Sequence, residues 1–273
     1  MSGLAVRAAA AVRSPQGRAP GDRPAALDYY RDLLTPFGEK PDEELLNRGA
    51  HVHHRDLADL LVADEGVGRS RPELLIVTHA LPDVVPFTAV APHLTDRLGG
   101  GAANFAIAQQ GLAAPFTALR IASAYHRAGR AAEVVLAVLE QTTLPTPFPL
   151  VQETPLIDSA AALVLGASGD DSGPRFVRAH SAGSAADALG EGALGSDLGE
   201  DGTLLVLGPW VTEDLPERSA VHRVAPGSYC TSLWLALADH WQEWSETYRR
   251  VVLCDTDPRS GRSHVALFAH GEG

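Results

Sequence analysis

Lysine is almost absent from this chain: 21 of its 22 basic residues are arginine, and Lys40 stands alone. Against 34 acidic residues this leaves a formal charge of −12. A nucleic-acid surface needs a basic excess to neutralise phosphates, so a nucleic-acid partner is excluded. Two cysteines, Cys230 and Cys254, are too few for a disulfide framework in 273 residues, which points to a reducing cytoplasm. No apolar run approaches the roughly 18 residues of a membrane helix, and the N-terminus lacks the hydrophobic centre of a secretory signal. The first 24 residues have the Ala and Arg content of a transit peptide, but Pro15, Pro20 and Pro24 interrupt any amphipathic helix there. We expect a strand over residues 4–12, then a loop.

Several chemistries lack their signatures. The chain has no GxSxG, so a hydrolase elbow is not supported. LGGGAAN at 98–104 has neither GxGxxG spacing nor a following Lys-Ser/Thr, and no cofactor is expected. His51 and His54 are spaced as if one helical turn apart, but no further Cys or His stands at ligand spacing, and no metal is expected.

What is present is a chain with 45% apolar residues and a mean hydropathy of −0.02, enough to bury a full core. Apolar runs alternate with helical patterns. LLIVTHAL (74–81), EVVLAVLE (133–140), DSAAALVLGA (158–167) and TLLVLG (203–208) read as buried strands, as do VVLCDT and HVALFAH near the end. Helices are expected over 41–63, broken near Gly49, and over 90–98, 113–128 and from PGSYCTS to about Arg249. Residues 141–155 read as a proline-rich loop and GASGDDSGPR (166–175) as a boundary loop. Trp234, Leu237, Trp241, Trp244 and Tyr248 recur every three or four residues, the mark of a buried helix face. This order predicts an α/β fold.

Residues 105–119, FAIAQQGLAAPFTAL, combine a β-like run, a glycine turn and the start of a helix. Several folds hold a nucleophile at such a turn, yet nothing here can act as one.

The succession LLIVTHALPD, FAIAQQG, ALRIASAYHRAGR, EVVLAVLE, DSAAALVLG and PGSYCTSLWLALA resembles the β-ketoacyl synthase III branch of the thiolase-like superfamily. The match is good over 74–167 and loose elsewhere. The resemblance implies two βαβαβαββ halves in α/β/α/β/α layers, usually dimeric, with an N-terminal half over 1–172 and a shortened C-terminal half over 173–273. Asp158 would fall on the Gly-Asp-Gly strand. The family's acyl-accepting cysteine falls on Gly111 counting from Phe105, or on Leu112 counting back from Leu119 and Gly129; the preceding Gln-Gly favours Leu112. Neither can form a thioester. The family's enolate-stabilising His falls on Pro209, within Gly208 to Trp210, and its Asn on Ser228. Only residues 211–226 lie between those turns, too few for the strand and helices the family places there.

One further thiol could restore chemistry. Cys230 lies at a predicted helix N-terminus, where the dipole lowers a thiol pKa, with His222 upstream in the same turn region. Two readings follow. In the first, the chain is a non-catalytic partner, comparable to a chain-length factor, that forms a homodimer or a heterodimer with a ketosynthase and helps recruit an acyl carrier protein. In the second, it is an acyltransferase or thioesterase-like enzyme that binds an acyl-carrier-protein or CoA thioester and forms no covalent intermediate at the elbow. Replacement of every catalytic position favours the first.

Overall fold

The computed structural model describes residues 3–17, 23–167, 174–190, 202–215 and 220–270. The first five strands are β1 (Leu4–Arg13), β2 (Leu74–His79), β3 (Ala103–Ile107), β4 (Glu133–Glu140) and β5 (Ser159–Ala167). They lie in the order β3-β2-β4-β5-β1. The remaining strands, β6 (Arg175–Ala182), β7 (Thr203–Leu207), β8 (Ala220–Arg223), β9 (Arg250–Thr256) and β10 (Ser263–Ala269), continue the same sheet as β6-β10-β9-β7-β8. Read outward from the centre, the two sets repeat one order. Their pairings repeat as well: β2 with β3 and β4 is parallel, as is β7 with β8 and β9, and the remaining contacts are antiparallel. The sets join at β1 and β6.

Two helices fill the middle. α6 (Ala113–Arg127) packs on β2 and β4 from one side and on β6 and β10 from the other, and α9 (Ser232–Thr247) likewise bridges β1 and β5 with β7 and β9. One core cluster accordingly runs through α6, α9 and both sets of strands. On the outer face of the first set lie α3 (His54–Ala63), α4 (Glu65–Gly68) and α5 (Val90–Arg97); on that of the second set lies α8 (Ala185–Leu189). The arrangement is α/β/α/β/α. The Trp stripe is a buried face of α9, with Trp234 and Leu237 fully enclosed.

Four local expectations change. Pro24 does not end helical structure: α1 (Arg23–Leu34) begins one residue before it, and a proline in a first turn lacks only an N–H that the helix does not use there. His51 and His54 are not on one helix, because a capping box of His53 and Asp56 starts α3 at His54 and leaves His51 at φ 54°. The 141–155 loop contains a short helix, α7 (Pro149–Glu153). Residues 211–226 do hold a strand, β8, which adds to the open edge of β7. The expected boundary between 172 and 173 lies outside the described residues. Among the described residues no helix is long and apolar enough to cross a membrane.

Candidate functional site

The sharp turn expected after FAIAQQ is present. β3 ends at Ile107, Gln109 (φ 61°) and Gly111 (φ 53°) both take left-handed conformations, and Leu112 is the residue from which α6 starts. The Ala113 N–H donates to the Gln110 carbonyl, and Thr117 Oγ1 to Gln110 Oε1, at 3.0 and 2.9 Å, which closes the turn. Leu112 is 2% exposed and belongs to the central core.

The turn faces the second set of strands. Asp257, on the loop between β9 and β10, accepts the Leu112 N–H on Oδ2 at 3.3 Å. Its Oδ1 accepts the Tyr229 hydroxyl at 3.0 Å and the Arg259 N–H at 2.8 Å. Burial, and then the Asp257 charge, push the Tyr229 phenol well up from its ordinary range, so it stays a donor. A Cβ on Gly111 would overlap the Asp257 carboxylate and come within 2.6 Å of the Tyr229 hydroxyl. At residue 111 the space a side chain would occupy is therefore filled.

A second carboxyl lies beneath. Glu140, the last residue of β4, is fully buried and accepts the N–H groups of Tyr229 (2.6 Å) and Cys230. Burial raises its carboxyl to about 7, while the N–H groups at the start of α9 pull the other way. Asp255, near the end of β9, is a third. Its Oδ1 accepts the N–H groups of Trp210 (3.1 Å) and Thr256 (2.9 Å), while Oδ2 is buried without a partner, and burial lifts it to about 8. A side chain at Gly208 would collide with this carboxyl. Glu140 and Asp255 sit at the C-terminal ends of β4 and β9, strands that hold the same place in the two sets.

The structure separates the two residues paired by sequence. Cys230 is buried and its Sγ donates to the Leu139 carbonyl at 3.6 Å. Desolvation, then the neighbouring Glu140, raise its thiol well above the ordinary value, which reverses the depression expected from a helix terminus. His222 lies on the outermost strand β8, against His240 and Trp244 at 5.3 and 5.1 Å between ring centroids. Those residues follow Cys230 on α9 by three to four turns, roughly 15–20 Å along the axis. Ser228 bonds Ser232 Oγ at 2.7 Å, and Pro209 follows β7 beside the Asp255 and Trp210 contact. Asp158 has a fixing role: its Oδ1 takes the Thr142 N–H (2.7 Å) and hydroxyl (3.0 Å). Among the described residues no group of three or more His, Cys, Asp or Glu is placed to hold a metal ion.

Sequence reasoning passed over Glu140, Asp255, Asp257 and Tyr229. The available signal was an acid at the carboxyl end of an otherwise apolar strand, as in EVVLAVLE and VVLCDTD, since open α/β sheets gather ligand chemistry at those ends.

No protein-family model matches the chain, and no curated protein matches it by sequence. Solved structures do match, from end to end. The 3-oxoacyl-(acyl carrier protein) synthase III, FabH, of Pseudomonas aeruginosa PAO1 aligns at 16% identity and TM-score 0.63 over 99% of both chains. A variant of Xanthomonas campestris OleA with bound lauric acid and lauroyl-CoA aligns at 15% identity and TM-score 0.65, over 98% of this chain and 99% of that one. The fold is thiolase-like. In this thiolase-like frame, β3, its turn and α6 lie in the set that carries residues 74–167, the stretch whose motifs carried the resemblance. At such identity the likeness establishes the fold and leaves the chemistry to the residues.

Proposed function

We propose that the chain is a ketosynthase-like protein without the acyl-accepting thiol, serving as a non-catalytic partner subunit of a β-ketoacyl synthase in polyketide- or fatty-acid-type biosynthesis. One observation carries the reading. At Gly111, one of the two positions on which the resemblance would put that thiol, an added Cβ would run into the Asp257 carboxylate and the Tyr229 hydroxyl, and at the other the buried Leu112 carries no thiol. A carboxylate there would also repel the enolate of a decarboxylating synthase. The remaining candidate thiol, Cys230, is buried and protonated.

The surface supports association. β3 is an outermost strand of the sheet, and its sequence ANFAI has neither charge nor proline, the usual guards of an edge. Phe87, 60% exposed, stacks edge-on against Tyr29 at 5.1 Å. Antiparallel pairing of two β3 edges about a two-fold axis would close the edge, either in a homodimer or with a synthase of the same fold. An acyl carrier protein or CoA thioester would then meet a site assembled by both chains.

Two measurements test this. The purified protein is expected neither to decarboxylate a malonyl carrier protein nor to acquire a thioester adduct, labile to neutral hydroxylamine, when incubated with acyl-CoA; either activity would overturn the reading. Sedimentation at low micromolar concentration is expected to give a dimer, or co-expression a complex with a synthase, through an interface above roughly 1,000 Å². Ala106→Lys, at an exposed position of β3, should dissociate it while leaving a folded monomer with an unchanged far-UV spectrum. A chain monomeric in both experiments would remove the physical basis of the subunit role.

A further inference from the structure

The strand sequences RFVRAHSA (β6) and SHVALFA (β10) place Ser181 near the end of one strand and His264 near the start of the other. β6 and β10 pair antiparallel, and Ser181 stands directly opposite His264. Residues so opposed send their side chains off the same face of the sheet. For this pair it is the inner face. Ala179 on β6, and Ala266 and Phe268 on β10, alternate with them and belong to the central core. The His264 ring lies 5.6 Å from that of Phe116, one turn into α6 and therefore close to the elbow. The loop leading into β10 is the one that carries Asp257 to Leu112.

Ser181 Oγ and His264 Nδ1 are 2.7 Å apart. With the ring proton on Nε2, Nδ1 accepts the hydroxyl proton, the contact a base makes with the nucleophile it activates. The serine is exposed while the histidine is 3% exposed. An exposed hydroxyl can satisfy itself with water, so this bond is not required to cover a stranded polar group on Ser181. Burial lowers the His264 pKa and leaves the ring a neutral base; the Asp257 charge favours the proton the ring takes up, and Arg262 opposes it.

We propose that Ser181 and His264 are the nucleophile and general base of a site that hydrolyses an acyl ester or thioester bound beside the elbow. Ser181 Oγ attacks the acyl carbonyl carbon as its proton passes to His264 Nδ1. The carbon–sulfur bond of a thioester breaks, and the departing thiolate takes that proton. Water then attacks the serine ester, His264 accepts the water proton and returns it to Oγ, and a carboxylic acid and a thiol are released. A partner subunit that is non-catalytic as a synthase can still carry this hydrolytic pair, because the pair needs no thiol at residue 111 or 112, and its intermediate is an oxygen ester that neutral hydroxylamine leaves intact.

The test uses the full-length protein and a fluorophosphonate probe, with the labelled peptide located by mass spectrometry. A single adduct on Ser181 is expected, absent in Ser181→Ala and formed at least about 100-fold more slowly in His264→Gln. Thiol release from a medium-chain acyl-CoA should vanish in Ser181→Ala while the melting temperature is unchanged. Labelling elsewhere, no labelling, or undiminished thiol release in Ser181→Ala overturns the proposal. If His264→Gln fails to fold, Ser181→Cys decides the base: its thiol should react with iodoacetamide at neutral pH at least about 10-fold faster than free cysteine, and an equal rate overturns it.

Discussion

Gly111→Cys, the substitution that would put a thiol at the elbow, is expected to lower stability by about 2–5 kcal/mol and to yield no synthase. A left-handed residue with a Cβ costs about 1–2 kcal/mol at φ 53°. Overlap with the Asp257 carboxylate and the Tyr229 hydroxyl adds about 1–3 kcal/mol, because a packed interior gives way only by moving its neighbours. In a chain of this length the melting temperature should fall by roughly 4–10 °C. The cause is checked by a double-mutant cycle. Asp257→Gly combined with Tyr229→Phe removes both obstructing groups, and Gly111→Cys should cost less in that background by roughly 0.5–3 kcal/mol. A Gly111→Cys protein as stable as its parent would show that the turn is open, and the occlusion argument would fall with it.

Asp255→Asn should change the pH dependence of folding more than its stability at acid pH. The carboxyl sits at about 8 when folded, against an ordinary 3.8, because burial disfavours its charge. The folded chain holds that proton more tightly than the unfolded one. The resulting stability is fully present below about 3.8 and is lost as the pH rises through about 8. Glu140 acts in the same sense, from 4.5 to about 7. An amide cannot ionise, so the variant should lose the larger part of this slope and become more stable than its parent above pH 8, on the order of several kcal/mol. Near pH 4 the two should agree within about 1 kcal/mol. Melting curves from pH 4 to 9 with parallel slopes for parent and variant would show that Asp255 is not the group responsible.

The buried carboxyls mark the limit of what could be read from sequence. EVVLAVLE was legible as a covered strand because its apolar run is continuous, and β4 spans those same eight residues. The elbow was legible because Gly111 interrupts a strand-like run just before a helical one. Elements with weak local signals were missed. β8 has the exposed sequence AVHR and is a strand only because β7 offers it an edge. The start of α1 was hidden by Pro24, which breaks a helix interior but is accommodated in a first turn. Cys230 showed the same limit in its chemistry. A helix terminus lowers a thiol pKa, yet enclosure and Glu140, a residue 90 positions earlier, outweigh it.

Sequence by itself determined the alternation of strands and helices, the buried face of α9 and the absence of a nucleophile at the turn, because periodicity, turn chemistry and residue identity are local properties. Only the tertiary structure decided what lies against that turn. Asp257 reaches Leu112 across 145 residues, Glu140 caps Tyr229 across 89, and Ser181 meets His264 across 83. These meetings follow from strand order and pairing register, which are set by the packing of two sets of strands around α6 and α9. A chemically ordinary serine, histidine or aspartate carries no mark in the sequence of which partner that packing will bring to it.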